Sequence, residues 1–245
     1  MVLRLYIDSR DDGRGTVPGV KPCASHPSHV AYTSSHARPL RLVDFRPNYN
    51  LAPTQETEVV LVRDDERTVE AFRWGLSPAW AGSIDAAATY SLINARGEEI
   101  AEKRSYAEPF KRRRCVVPLS GFFEWKRGGP RKRPFAIHRT DRRILSVAGV
   151  WERWQPEGQP DPLYTFSIVT TRANTCMADI HDRMPVILDD RDVELWLDPE
   201  VQEPERVLPL VRPCPAEWLT AYEVSTLVNS SRHNSPDVLL PATSA

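Results

Sequence analysis

The amino-acid sequence predicts an α+β fold: a mostly antiparallel, curved or barrel-like sheet with flanking helices. Three observations predict it. Short runs rich in β-branched and aromatic residues recur along the chain between polar turns. Proline is unusually frequent, 22 Pro against 11 Gly, which suits loops and edge strands and opposes a long helical bundle. The runs follow one another by mostly short connections without regular strand–helix alternation, which sets aside a doubly wound parallel sheet. The 245 residues, 41% hydrophobic and 27% charged, are enough for a core and exclude compositional disorder.

The elements follow in order. Residues 1–42 form an atypical segment: after a short alternating start, Met1 to Ile7, it is rich in Ser, His, Pro and Arg and is expected to be loop or poorly ordered. Residues 43–240 read as one folded domain and 241–245 as a tail. Glu58–Arg63 and Thr68–Trp74 read as a hairpin across the polar turn 64–67. Residues 97–114 read as a helix, with Ile100, Ala107 and Phe110 on one face and Pro109 disturbing its end. Strands are expected at Cys115–Leu119, Gly121–Lys126, Pro134–His138, Ile144–Trp151 and Tyr164–Thr171. A helix is expected at Asp190–Leu197 and a last extended segment at Ala221–Val228.

No apolar run approaches the ~18 residues of a membrane span, and no basic-then-apolar start resembles a signal peptide. Cys23, Cys115, Cys176 and Cys214 are widely spaced and do not read as a disulfide framework, so a cytoplasmic, soluble protein is expected. No phosphate-binding loop or dinucleotide fingerprint occurs, and no cofactor is expected. Cys23, His26 and His29, with His36 beyond, have a zinc-like spacing, but no helix or turn scaffold holds them, and no metal is assigned.

The net charge of −1 by itself points to no nucleic-acid partner. Its distribution says more: Lys and Arg outnumber Asp and Glu more than two to one between Arg96 and Arg143, while the rest of the chain is acidic. That pattern suits either phosphate binding by one face or a solvated charged surface.

Three places could carry chemistry. Strand alternation in Gly121–Lys126 puts Phe122, Glu124 and Lys126 on one face and Phe123 and Trp125 on the other. A carboxylate in an aromatic strand suits general acid/base work, or else is a strand-edge Glu paired with Lys126 or an Arg. His181, among Asp179, Asp182 and Arg183, suits proton transfer or is structural. Asn94 and Arg96 sit at a predicted strand-to-helix junction, where Asn94 either caps the helix or presents its amide to a ligand. Tryptophans gather at Trp74, Trp80 and Trp125; such rings are core, or platforms for unpaired bases.

Taken together, Arg46–Gln55 (RPNYNLAPTQ), Trp74–Trp80 (WGLSPAW), Ile93–Gly97 (INARG), Arg114–Trp125 (RCVVPLSGFFEW), Ile168–Thr170, Asp179–Leu188 (DIHDRMPVIL) and Leu227–Pro236 occur in this order. Over residues 43–240 the chain resembles the SRAP family, the SOS-response-associated peptidases or abasic-site processing proteins. The resemblance implies binding to single-stranded DNA and a covalent bond to abasic sites, formed by a cysteine exposed when the initiator methionine is removed. Amine and thiol together close a thiazolidine on the opened sugar. It implies Glu124 as acid/base, for that step and for methionine removal, and His181 in proton transfer at the sugar. Asn94 would position the N-terminal residue. Arg96 and Trp125 would contact DNA, and Asn50, Pro53, Trp74 and Thr170 would line the site. It also implies a monomer, associated with the nucleoid during DNA damage, with hydrolase, protease and lyase character.

The chain departs from the family at one decisive place: residue 2 is Val2. Three readings remain open at this point. The start is misassigned or shifted in frame; or the protein binds DNA without crosslinking it; or the Val2 amine reacts alone, its pKa of about 7.7–8.0 leaving a useful neutral fraction. A thiol protease would require Cys115 or Cys176 beside His181.

Overall fold

The computed structural model describes residues 3–8, 47–83, 92–126, 128–129, 131–155, 158 and 160–242. Val2, Cys23, His26, His29 and His36, on which expectations were placed above, lie outside the described residues. The strands are β1 (Arg4–Ile7), β2 (Asn48–Leu51), β3 (Glu56–Arg63), β4 (Glu66–Trp74), β5 (Asn94–Arg96), β6 (Arg114–Leu119), β7 (Gly121–Lys126), β8 (Arg133–Arg139), β9 (Leu145–Trp154), β10 (Leu163–Arg172), β11 (Arg183–Pro185), β12 (Ile187–Leu188) and β13 (Leu219–Glu223).

The α+β fold holds, and its sheet is closed. β4 pairs with β3, β3 with β6, β6 with β9 and β9 with β10, all antiparallel. β10 then returns to β4 in parallel, through Thr165↔Arg73 and Phe166↔Trp74. Closure gives each of these five strands a ring neighbour on both sides, edges remain where β9 and β10 outrun those neighbours, and β6 is buried along its whole length. Beyond the ring, β10 runs on between two shorter strands, parallel β5 (Thr170↔Arg96) and antiparallel β11 (Thr170↔Pro185).

A second, antiparallel sheet has the order β13-β8-β7-β1-β2. Its two faces carry different apolar sets. Leu3, Leu5, Ile7, Leu51, Phe122 and Ile137 join the main core with the ring, while Tyr6, Tyr49, Phe123, Trp125 and Ala136 pack under Val224, Val228 and Val238 of the C-terminal segment. The short alternating start of the atypical segment is thus built into the sheet over Arg4–Ile7. Gly121 makes this fit possible, since a Cβ there would meet the Tyr6 hydroxyl at 2.3 Å and the Ile137 carbonyl at 2.4 Å.

The helix expected over 97–114 is not continuous. Gly97–Glu99 is a single 3-10 turn, Ala107–Arg112 is a short α-helix, and Arg114 begins β6. Pro109 explains the late start: proline lacks the N–H that an interior position must donate, so it is accommodated in a first turn and not ten residues into a helix. The expected final strand, Ala221–Val228, ends at Glu223 and gives way to a 3-10 turn, Thr226–Asn229, whose Ser225 hydroxyl accepts from the Leu227 N–H. Asp190–Leu197 is helical as read, with Asp189 accepting from the N–H groups of Arg191 and Asp192.

Arg114 ties these helices to the ring. Its buried guanidinium donates from Nε to the Trp196 carbonyl (2.5 Å) and from Nη1 to the carbonyls of Phe110 (2.9 Å) and Lys111 (2.7 Å). Nη2 donates to those of Asp198 (2.6 Å) and Val201 (2.8 Å). Carbonyls at the C-terminal ends of both helices, which lack intrahelical donors, are thereby satisfied by one cation. Burial pushes the Arg114 pKa down to about 10, so the side chain is still charged at neutral pH.

The loop from β2 to β3 stores strain. Thr54 has φ 76°, in the left-handed region that disfavours a β-branched residue, and its side chain makes no hydrogen bond among the described residues. Thr54→Gly is expected to raise stability by about 0.5–1 kcal/mol despite glycine's freer unfolded chain. A urea titration checks this: the midpoint should rise at constant slope, and a fall would show that Thr54 is not strained.

Candidate functional site

Two groups of side chains are built from the two sheets. The first centres on Glu124, 2% exposed, whose Oε1 accepts the N–H of Trp125 at 3.2 Å. Strand alternation places it as read, on the face with Phe122, away from Phe123 and Trp125. The β1–β7 register, Arg4↔Phe123 and Leu5↔Phe122, continued one step back, sets Leu3 opposite Glu124. Leu3, the first described residue, therefore lies across from this carboxylate.

The second group lies where β10 leaves the ring. Asn94 is in β5, not at a helix cap: the following 3-10 turn has Arg96 at its cap position, and no side chain bonds there. Asn94 Oδ1 is buried without a hydrogen-bond partner among the described residues. Leaving a buried acceptor unmet costs free energy, so this atom marks a place for an incoming N–H or O–H. Arg96, one step along the strand, is exposed and makes no hydrogen bond or salt bridge among the described residues. Thr170, beside it on β10, is buried and donates to the Ala95 carbonyl at 3.2 Å.

His181 is buried in the turn before β11. Its Nδ1 lies 3.0 Å from the Arg183 N–H and 2.8 Å from an Asp182 carboxylate oxygen. The backbone donor faces Nδ1, so the neutral ring carries its proton on Nε2; protonation of both nitrogens makes the Asp182 contact a charge-assisted bond. Arg183 then locks the turn to β10 and β5. It donates from Nη2 to the Thr170 carbonyl (2.8 Å) and forms a fork with Glu98 (3.2 and 2.8 Å). Burial acts to raise the Glu98 carboxyl, but the Arg183 bonds and charge outweigh it and hold Glu98 below its usual range.

A family model for the SOS response associated peptidases (SRAP) matches residues 23–231. The chain belongs to the SRAP family. The protein is 41% identical over 198 residues to the Bacillus subtilis abasic site processing protein YoqW, covering 80% of this chain and 87% of the relative. It is 34% identical over 231 residues to the chicken (Gallus gallus) abasic site processing protein HMCES, covering 82% and 68%. Among solved structures, a Bacteroides thetaiotaomicron protein superposes with a TM-score of 0.71 at 33% identity, over 78% of this chain and 82% of its own. A phage-related protein from Bordetella bronchiseptica gives 0.65 at 25% identity, over 98% and 99%.

Not every residue singled out from the sequence faces this SRAP site. Trp74 is fully buried: its Nε1 donates to the Ile93 carbonyl at 2.9 Å and its ring stacks on Phe166. It presents no surface to DNA and instead supports the strand that carries Asn94. Trp125 is 9% exposed, on the opposite face of β7 from Glu124, with Nε1 donating to Asn229 Oδ1 at 2.7 Å. Asn50 is buried with its amide fully engaged, while Pro53 is half-buried before the strained Thr54. Trp80 is 38% exposed, with the Arg104 guanidinium 4.7 Å from its ring centroid.

Sequence reasoning took Arg183 only as a charged neighbour of His181 and passed over Glu98, because the two partners lie on different elements. Burial raises the thiol pKa values of Cys115 and Cys176, and pushes Cys214 up to about 12. None of these three is poised as the thiolate a cysteine protease needs. No group of three potential metal ligands occurs, and no helix is long and apolar enough to cross a membrane, among the described residues.

Proposed function

We propose that this SRAP protein acts on abasic sites in single-stranded DNA, reacting through the amine of its N-terminal residue once the initiator methionine has been removed by its own peptidase activity. The observation that supports it most is β1, seated between β7 and β2, which directs the start of the chain to a buried carboxylate. With Val2 in place, the chemistry is an imine formation. The neutral amine adds to the aldehyde of the opened sugar to give a carbinolamine. Glu124 relays a proton from nitrogen to the departing hydroxyl, and water leaves. His181 moves the proton that opens the sugar ring, and the unmet Asn94 Oδ1 accepts from the amine or a sugar hydroxyl. Arg96 contacts phosphate, with Trp125 at the edge of the strand's path. The protein acts in this reading as a monomer in the cytoplasm, on the nucleoid during the SOS response.

Without a neighbouring thiol no thiazolidine closes, so the adduct is reversible. Single-stranded DNA bearing one abasic site, resolved on a denaturing gel, is expected to yield an adduct only after borohydride reduction. Val2→Cys is expected to give an adduct without reductant. A stable adduct of the unsubstituted chain without reductant would assign the bond to another residue. The second reading, DNA binding without covalent reaction, is favoured by Val2 itself. It predicts no adduct under either condition, with salt-sensitive binding weakened by loss of Arg96.

A further inference from the structure

The start of the chain is held by few main-chain contacts. β1 pairs with β7 over Arg4–Tyr6, and on its other side the register against β2 shifts between Leu5 and Ile7. A slip of one residue would turn Leu3 and Leu5 out of the core, so burial forbids it. A slip of two keeps every side chain on its face, so only the identity of the residues on each face opposes it, buried Tyr6 against Gly121 among them. It would nonetheless move Leu3 ~6.6–6.8 Å along β7, away from its place opposite Glu124.

Side chains on the far face oppose that slip. Arg4 donates from Nη1 to Asn50 Oδ1 (3.1 Å) and from Nη2 to the Asn229 carbonyl (3.4 Å). Asn50 Nδ2 shares its hydrogens among the carbonyls of Val228 (3.1 Å), Ser230 (2.9 Å) and His233 (3.0 Å), and Trp125 Nε1 holds the Asn229 side chain. Both ends of the Asn50 amide are therefore occupied, which leaves no atom for a base or a phosphate. A two-residue slip would take the Arg4 fork away from both Asn50 Oδ1 and the Asn229 carbonyl, and Tyr6, moved into its place, has one hydroxyl where the guanidinium supplies two donors.

We propose that Arg4, Asn50 and Asn229 are positioning residues: a register pin that joins β1 to the C-terminal segment and keeps Leu3 opposite Glu124. This rests on the amine reading above for its chemistry, but not for its geometry. Arg4→Lys keeps the charge and loses the two-pronged fork. It is expected to speed hydrogen exchange at the Leu5 and Tyr6 amides about tenfold while β10 amides are unchanged. It is also expected to slow borohydride-trapped adduct formation at saturating DNA about tenfold, with the DNA Kd within about twofold of the parent. Asn50→Ala should shift both rates the same way, and thermal unfolding of each variant shows that it is folded. Unchanged β1 exchange overturns the pin, and does so whether or not the Kd weakens; a weakened Kd would make Arg4 a phosphate ligand instead. If the parent chain yields no trapped adduct, the amine reading fails, and the exchange comparison alone upholds or overturns the pin.

Discussion

Arg114→Met is expected to lower the unfolding free energy by about 4 kcal/mol or more, enough to unfold much of the protein at growth temperature. Methionine fills a similar length but donates nothing, so the five carbonyls that Arg114 now serves lose that donor, and of these Asp198 keeps the Val201 N–H at 3.3 Å. Each unmet acceptor costs about 1–3 kcal/mol, reduced where water can enter at the helix ends. Urea denaturation compared with Arg112→Met makes the test. Arg112, 59% exposed in an i,i+4 pair with Glu108, should change stability by no more than about 0.5 kcal/mol. A loss below about 1 kcal/mol for Arg114→Met would mean that the helix ends do not depend on the guanidinium.

The largest effect on activity is expected at Glu124. Glu124→Gln keeps the shape and the acceptor for the Trp125 N–H, and removes only the capacity to take and return a proton. The rate of borohydride-trapped adduct formation should fall by about 10²-fold, the lower end of what a positioned acid/base supplies. Stability should hold or rise, since a neutral amide is less costly to bury than a carboxylate. A time course at saturating DNA reads the rate, and a rate unchanged by the substitution would remove Glu124 from the mechanism.

Much of the fold was legible because it is local. β7 and the helix Asp190–Leu197 stand where they were read in the sequence, and the Glu58–Trp74 hairpin differs only by longer strands. What was not legible is non-local. β5, β11 and β12 are too short to show a period, and they exist because β10 and β9 offer hydrogen-bonding edges. Residues 97–114 carry helical periodicity, but Pro109 and the switch of Arg114 into β6 override it. At the site, the alternation that faces Glu124 away from Trp125 was readable. The complete burial of Trp74, the engaged amide of Asn50 and the Arg183–Glu98 fork were not, because each depends on residues brought from other elements. Chain composition carries no trace of such partners.

The placement of β1 also has a consequence in time. Its partner on β7 lies about 120 residues further along the chain, since Arg4 faces Phe123. At ~5–20 residues per second of synthesis, the first strand made waits roughly 6–24 s before the surface that receives it exists. Throughout that interval Leu3, Leu5 and Ile7 have no sheet to enter. The N-terminal strand is thus among the last pieces seated, when most of the core is already in place.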